Sequence, residues 1–305
     1  MVESSKTCYV INFYLGDRRN KITVYENDKL CYLKKHIEYL SIIPHNLSKI
    51  VFNFNLREED FHYISEIWKI TPKRLGTADV SLSIRPNRGM SYGAWNDTFK
   101  KYKTEYDYYI FNEDDYFFIE PNWDQYLITK YTTTENCGYL CMMVRNPEWW
   151  NYYKKHAGHS SGIASTENLL KVYNKYGVIP HNDVHTKWKH GDDHSEYQKG
   201  ENSQLIFSFA FIELGMNVLD ISDDYKLNFN MTAPEDPDIW KMFHWNEKEL
   251  ITPAYLIFEP THTWYMTAHD EYQFIPENIY STVEEALKCY EDKINLKTLR
   301  SNKNL

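Results

Sequence analysis

The sequence predicts an α/β fold in which helices flank a mostly parallel central sheet. Runs rich in β-branched and aromatic residues alternate with segments whose apolar residues recur at helical spacing. The strand-like runs are apolar almost throughout, which is typical of strands buried on both faces of a sheet. The chain of 305 residues suits one large domain, and no internal repeat or low-complexity linker divides it.

In the first half of the chain, predicted strands and helices follow one another in strict alternation. The first strand is closed by a turn that starts at Gly16, and the third is broken by a turn that starts at Pro86. This order implies right-handed crossovers between parallel strands, so the carboxyl ends of the strands should share one edge. The predicted strands are 8–15, 49–55, 80–85 and 106–111, and the predicted helices lie within 30–40, 61–68 and 91–102.

The second half is less regular. Ser165 or Thr166 can cap a helix, because their hydroxyl oxygens accept backbone N–H groups of its first turn. The stretch 202–214 is nearly apolar around its circumference and stops at Gly215, which predicts a buried helix. The helix capped by Ser165 or Thr166 should have Leu169, Leu170 and Tyr173 on its buried face. The other elements expected in this half are a helix at 123–131, a strand at 138–144, loops at 156–162 and 181–200, and a strand at 218–221. A capping box at 281–285 predicts a C-terminal helix that runs to about 294.

Three carboxylates, Glu113, Asp114 and Asp115, follow the fourth predicted strand where it leaves the core. In extended chain, residues two apart point to the same side, so Glu113 and Asp115 can converge on one cation while Asp114 points away. Two carboxylates that leave positions for water or phosphate suit Mg²⁺ or Mn²⁺. The alternative is a solvated acidic cluster. The apolar run 116–119 favours the metal, because charges embedded in apolar sequence are costly unless paired or metal-bound.

Composition argues against several classes of protein. The net charge is −9 and no long Lys/Arg-rich tract is present, which disfavours nucleic-acid binding. The first residues lack a signal peptide's apolar core and no apolar run is long enough to span a bilayer, so we expect a cytoplasmic protein. The five cysteines have no zinc-site spacing and are expected to be free thiols. The 26 tyrosines suit clefts that stack bases and sugars, but most of them should simply pack in or near the core.

The order of these features resembles the nucleotide-sugar-dependent glycosyltransferases of the GT-A fold, and it is most similar to their family 2-like, inverting branch. The resemblance rests on the first strand, on the Asn87-Arg88-Gly89 turn with its helix, and on Glu113-Asp114-Asp115 as a variant of the Asp-x-Asp motif. It covers about half of the chain and thins after Val144. It implies a GT-A-like, Rossmann-type sandwich with a nucleotide-sugar donor half at 1–115, an acceptor and catalytic half at 116–260, and a C-terminal helical tail at 261–305.

The same resemblance implies roles for residues at the sheet edge. Asp115 is the main contact of a Mn²⁺ or Mg²⁺ ion, and Glu113 lies near the ribose and the metal. The ion would neutralise the diphosphate that leaves during transfer. This chain departs from the family by placing Glu first in the motif, and by having Asn where an acid often follows the second strand. The residues implied to border the donor nucleotide are Tyr14, Asn53, Asn55, Asn87, Arg88 and Glu113.

An inverting transfer also needs a base that takes the proton of the acceptor hydroxyl. Glu201, just ahead of the predicted buried helix, is our candidate, with Asp193 and Asp192 behind it. The family usually shows Glu-Asp where this chain has Glu201-Asn202. The alternative is that Glu201 only stabilises the start of the helix through the helix dipole.

Histidines give two further hypotheses. Some GT-A enzymes complete the metal shell with a late histidine, for which His262 is the best placed and His244 the second. A lone histidine is more often a surface or core residue. The segment 156–162, rich in His, Ser and Gly, could line an acceptor or lid loop, or could be a plain connection.

The leading functional hypothesis is a metal-dependent glycosyltransferase that moves a sugar from a UDP- or GDP-type donor to a hydroxyl of a glycan or protein. The second is a sugar-phosphate nucleotidyltransferase, which normally needs a Gly-rich basic loop after the first strand. The third is a non-catalytic carbohydrate-binding protein on the same scaffold. Its hallmark would be loss of the metal acids, and they are present.

Overall fold

Strands and helices alternate along the first half of the chain in the computed structural model. The structure describes residues 5–16, 28–87, 89–118, 121–145, 156–181, 196–221, 227–228, 242–244, 263–266 and 278–280. The strands of the first half are β1 (Thr7–Tyr14), β2 (Lys49–Leu56), β3 (Arg74–Leu75), β4 (Ala78–Pro86) and β5 (Tyr108–Glu113). The helices are α1 (Cys31–Ile42), α2 (Ile64–Ile70) and α3 (Met90–Tyr102), with 3-10 turns at Glu58–Tyr63 and Lys103–Glu105.

The second half adds shorter strands and longer helices. Its helices are α4 (Trp123–Thr133), α5 (Thr166–Tyr176) and α6 (Glu196–Ile212). Its strands are β6 (Tyr116–Phe118), β7 (Cys137–Arg145), β8 (His156–Ser165), β9 (Asn217–Asp220), β10 (Leu227–Asn228), β11 (Met242–His244), β12 (Thr263–Met266) and β13 (Asn278–Tyr280).

Ten of the described strands form one sheet in the order β13-β12-β4-β2-β1-β5-β8-β7-β9, with β3 beside β4. Strands β4, β2, β1 and β5 are parallel neighbours, so their carboxyl ends meet at one edge. We call this the carboxyl edge. Strand β5 is parallel to β1 on one side and antiparallel to β8 on the other. A mixed α/β sandwich with a mostly parallel centre is therefore confirmed.

The sheet buries both of its faces, which explains the continuous apolar runs. On β1, Val10 packs in the cluster that includes Trp95 and Phe99 of α3. Its neighbour Ile11 packs in the cluster that includes Leu33 and Ile37 of α1. Alternate residues of one strand thus enter different cores, because side chains alternate across a strand. Helix α3 covers one face near the carboxyl edge, and α1 covers the other.

The loop predicted at 156–162 is wrong, because these residues belong to β8. This strand runs antiparallel between β5 and β7, and both neighbours hydrogen-bond to it. A Cβ atom on Gly162 would lie 2.3 Å from the carbonyl oxygen of Leu140, so only glycine allows this approach of β7 and β8. Ser161 is fully buried, and its hydroxyl accepts the backbone N–H of Glu113 at 3.3 Å. The polar composition reflects close packing and a hydrogen bond, not a surface loop.

The helix predicted at 202–214 begins earlier, at Glu196, inside the predicted loop 181–200. It ends at Ile212, and Gly215 has a φ of +78°, as expected for a glycine stop. The cap of α5 is Ser165, whose hydroxyl accepts the N–H of Asn168. Its buried side chains are Thr166, Leu169 and Val172, while Leu170 and Tyr173 are partly buried and pack against the same core as Leu169 and Val172.

The remaining sequence predictions have mixed outcomes. Four cysteines, Cys8, Cys31, Cys137 and Cys141, are buried free thiols as expected, and Cys289 lies outside the described residues. Strands β12 and β13 fall within the segment 261–305, which the sequence predicts as a helical tail. The helix predicted at 281–294 lies outside the described residues. The division into donor half, acceptor half and tail stays a prediction. Within the described part, no helix is long and apolar enough to cross a membrane.

Candidate functional site

The carboxyl edge carries a row of polar side chains on the face covered by α3. The strand registers align Asn12 with Asn53 on one side and with Glu113 on the other, and align Asn53 with Ser83. Further back on the same face the strands are apolar, as at Val10. On this face of β1, the side chains therefore change from apolar at Val10 to polar at Asn12, near the carboxyl end of the strand.

A buried hydrogen-bonded network ties this row to helix α3. The side chain of Arg85 is fully buried; its Nε donates to Asp97 Oδ2 at 2.7 Å, and its Nη1 donates to Asn55 Oδ1 at 2.7 Å. Asn55 Nδ2 then donates to the carbonyl oxygen of Met90 at 2.9 Å. Asn53 Nδ2 donates to Thr98 Oγ1 at 2.8 Å. We call Arg85, Asp97 and Asn55 the buried triad, and it fixes the first turn of α3 at the carboxyl edge.

Helix α3 begins beside the acids. Its N-cap, Gly89, has a φ of +63°, and a Cβ there would lie 2.4 Å from Nδ1 of the buried His181. Ser91 Oγ, in the first turn, donates to Glu113 Oε1 at 2.9 Å. Asn12 Nδ2 donates to Ser91 Oγ at 3.3 Å. The carboxylate of Glu113 is thereby placed near the positive end of a 13-residue helix.

Asp114 turns back into the protein between its two acidic neighbours. It is 5% exposed, and its Oδ2 accepts the backbone N–H of Tyr14 at 3.1 Å. The sequence predicts that Asp114 points away from Glu113 and Asp115, and this contact directs it to the end of β1. Glu113 and Asp115 are half-buried at the edge.

Asp114 and Asp115 form a turn directly after Glu113, and we call Glu113-Asp114-Asp115 the acid turn. A histidine from α1 holds the backbone of this turn. His36 Nε2 donates to the carbonyl oxygen of Asp114 at 2.9 Å, since a carbonyl can only accept. Burial lowers the pKa of His36 to about 3, although the Asp114 carbonyl and the charge of Asp115 act in the opposite direction. His36 is therefore neutral at neutral pH, and the hydrogen bond to the turn is kept.

Tyr14 closes the end of β1 as a half-buried side chain. Its ring lies over Gly16, where a Cβ would sit 2.1 Å from the ring carbon that carries the hydroxyl, so a larger residue at Gly16 would displace the Tyr14 ring. The guanidinium carbon of Arg57 lies 5.9 Å from the centre of the Tyr14 ring. Arg57 also pairs with Asp60 at 2.9 Å. An aromatic ring and a cation thus lie at the ends of β1 and β2.

The predicted nucleotide residues have different settings. Asn53 and Asn55 are buried under α3 and hydrogen-bonded to it, which gives them a structural role. Asn87 is half-buried at the start of the turn before α3, and Arg88 lies outside the described residues. Their contacts with a nucleotide stay predictions, as does that of Tyr14.

The predicted base and the predicted histidine ligand are described only in part. Glu201 lies in α6, but its side chain, Asp192, Asp193 and His262 are outside the part of the structure that is described. The backbone of His244 pairs with Tyr116, the residue that follows the acid turn. Among the described side chains, no three His, Cys, Asp or Glu residues form a metal-binding group. Glu113 and Asp115 are carboxylates of the hard-oxygen type that Mg²⁺ and Mn²⁺ prefer.

Sequence reasoning missed the residues that hold the acids in place. Ser91, Ser161 and His36 contact the acid turn from elements far away in the chain. One signal was present for His36, since it lies in the apolar stripe of α1 next to Ile37, where a polar residue needs a partner. No comparable signal marks the two serines.

Comparisons with known proteins give no information about the function of this chain. No protein-family model and no curated protein matches this chain. Among solved structures, it is similar to CMP:2-keto-3-deoxy-manno-octonic acid synthetase complexed with CTP, with 13% identity and a TM-score of 0.38. The match covers 71% of this chain and 89% of that chain. A likeness this low carries no argument about function, so the glycosyltransferase resemblance stays a prediction from the sequence.

Proposed function

We propose that this chain is a metal-dependent enzyme acting on a nucleotide-linked sugar, and more finely an inverting glycosyltransferase with a hydroxyl acceptor. The acid turn is the observation that carries the proposal. Asp114 is drawn back to β1, and the turn leaves Glu113 and Asp115 half-buried at the carboxyl edge. Ligands of open α/β sheets bind at such edges.

The proposed chemistry assigns a task to each group. Mn²⁺ or Mg²⁺ held by Glu113 and Asp115 would stabilise the negative charge that develops on the leaving diphosphate. The first turn of α3 supports an anion through the helix dipole and its N–H groups. Tyr14 offers an aromatic face for the nucleoside, and Glu201 or Asp193 takes the acceptor proton.

A sugar-phosphate nucleotidyltransferase is the second candidate, and the end of β1 favours it. Gly16 lies against the Tyr14 ring, and the sequence continues with Arg18 and Arg19, so one glycine and two cations follow the first strand. The two cations suit a triphosphate, but a single glycine is a poor version of the Gly-rich loop that this class normally has. Pyrophosphate release from a nucleoside triphosphate and a sugar phosphate would support this candidate, whereas transfer or slow hydrolysis of a nucleotide sugar would support the first.

A thermal-shift panel tests the proposal directly. UDP, GDP, CMP and TDP are compared with and without Mn²⁺. A nucleotide present at 100 times its Kd should stabilise the protein by about 2.7 kcal/mol. We expect one nucleoside diphosphate to give a shift that requires the metal. Equal melting temperatures in all conditions would contradict the glycosyltransferase candidate.

The variant Asp115→Ala should reduce donor hydrolysis or transfer by about 1,000-fold, because a metal contact supplies several kcal/mol of transition-state stabilisation. Asp79→Ala is the matched control. Asp79 is an exposed acid at the other end of the parallel strands, where it pairs with the equally exposed Arg74 at 3.0 Å. Steady-state rates with saturating Mn²⁺ compare the two variants. Wild-type rates in Asp115→Ala would refute the assignment.

A further inference from the structure

Asp114 joins two parts of the carboxyl edge through separate atoms. Its carboxylate oxygen Oδ2 accepts the N–H of Tyr14 at the end of β1. Its carbonyl oxygen, in the peptide bond that leads to Asp115, accepts Nε2–H of His36. A carboxylate that is only 5% exposed is stable when it is hydrogen-bonded, so the contact with Tyr14 fixes its direction.

His36 is itself held rigidly. It is 2% exposed, its ring stacks on Phe117 with centroids 4.4 Å apart, and the ring of Phe13 meets it edge-on at 5.6 Å. Phe117 lies in β6, directly after the acid turn, and Phe13 lies in β1, directly before Tyr14. The imidazole therefore sits between β1 and β6, the strand that follows the acid turn.

We propose that His36 and Asp114 are positioning residues that hold the acid turn in its metal-binding conformation. Asp114 faces β1 and His36 contacts the backbone of the turn, so neither is proposed as a metal ligand. Asp114 also links the end of β1, where the nucleoside is proposed to bind, to the peptide that carries Asp115. This inference rests on the proposed function and deepens it, because it makes metal affinity depend on side chains outside the coordination shell.

Residues that orient metal ligands without binding the metal have measurable effects on metal affinity. Replacing groups that orient metal ligands typically weakens metal binding by about 10- to 100-fold. We expect His36→Phe to weaken Mn²⁺ binding by about 10-fold, because phenylalanine keeps the aromatic packing but removes the donor to the Asp114 carbonyl. Asp114→Ala should weaken it at least as much. Asp114→Asn should recover most of the affinity, since its side-chain oxygen can still accept the Tyr14 N–H.

His45 provides a matched control. It is a buried histidine whose Nε2 contacts the carbonyl oxygen of Leu40 at 3.1 Å, so His45→Phe also removes a contact to a backbone carbonyl. It lies beyond the end of α1 and outside the carboxyl edge. We expect His45→Phe to lose stability but to keep Mn²⁺ affinity within about twofold. A purely structural role for His36 would give the two variants the same result.

The experiment titrates Mn²⁺ into each variant, followed by electron paramagnetic resonance, alone and with UDP or GDP. Urea unfolding of the same samples supplies the stability of each variant. If Asp114→Ala does not fold, His36→Phe decides the question. Wild-type affinity in His36→Phe would overturn this inference alone. If the wild-type protein binds no Mn²⁺ in any condition, the proposed function fails and this inference fails with it.

Discussion

Asp97→Ala should destabilise the protein strongly, because it leaves a buried charge without its partner. In the buried triad, the side chain of Arg85 is 0% exposed and that of Asp97 is 10% exposed, with Nε and Oδ2 2.7 Å apart. Asn55 also accepts from Arg85, but it is neutral and cannot compensate the charge. Removing one partner of a buried ion pair typically costs 3–5 kcal/mol. We expect about 4 kcal/mol.

The free energy of unfolding is measured by urea denaturation, with tryptophan fluorescence as the signal. The exposed pair Asp79–Arg74, with side chains 64% and 65% exposed, gives the control. Asp79→Ala should cost less than about 1 kcal/mol, since solvent screens an exposed pair. The m-value should stay constant in both variants if only the stability has changed.

A double variant separates the buried charge from general damage to the core. Arg85→Met with Asp97→Leu removes both charges and fills the space with apolar side chains. It should lose less stability than Asp97→Ala, because replacing a whole buried pair is often neutral or stabilising. The lost donor to Asn55 Oδ1 adds about 1–3 kcal/mol to its cost. A loss below 1 kcal/mol in Asp97→Ala, or a double variant less stable than Asp97→Ala, would refute the reasoning.

Two further predictions concern β7 and β8. Gly162→Ala should lower the free energy of unfolding in urea by about 3 kcal/mol, because its Cβ would lie 2.3 Å from the Leu140 carbonyl oxygen. Gly177→Ala is the control and should cost about 1 kcal/mol, since no atom lies within 4 Å of its Cβ but its φ is +77°. Equal losses in the two variants would contradict the steric argument. Burial raises the pKa of Cys137 to about 12, so its neutral thiol contributes stability below the unfolded value near 9 that is lost as the pH rises toward 12. Mass spectrometry should show alkylation of Cys137 at pH 8 only after unfolding, and rapid labelling of the folded protein would contradict this.

The parallel centre of the fold could be predicted from the sequence because its physical signal is local. Strand β2, for example, is buried at every residue except its first, and the apolar residues of the intervening helices recur at helical spacing. Strand β8 could not be predicted in the same way. Its residues Ser161 and Gly162 have weak strand propensity, and their suitability appears only when β5 and β7 are in place.

The candidate site, like the fold, could be predicted from the sequence only where the signal is local. Strand periodicity was enough to predict that Asp114 differs in direction from Glu113, because neighbouring side chains alternate. The partners could not be predicted, since His36 and Tyr14 lie 78 and 100 residues away from Asp114. Asn53 and Asn55 were placed correctly at strand ends, but sequence could not reveal that α3 covers them.

The antiparallel pair β7–β8 extends past the acids on one flank of the carboxyl edge. The last pair between β5 and β8 is Phe111 with Gly162, and β5 ends at Glu113. Strand β8 extends further, to His156, which pairs with Arg145 of β7. About four residues of β8 therefore stand beyond the acids, a height of about 13 Å at 3.3 Å per residue. On the other flank, β1 pairs Asn12 with Glu113 and continues to Tyr14, so it also extends past the first acid. A ligand at Glu113 would therefore have strand backbone on both flanks, which restricts the orientations that it can adopt.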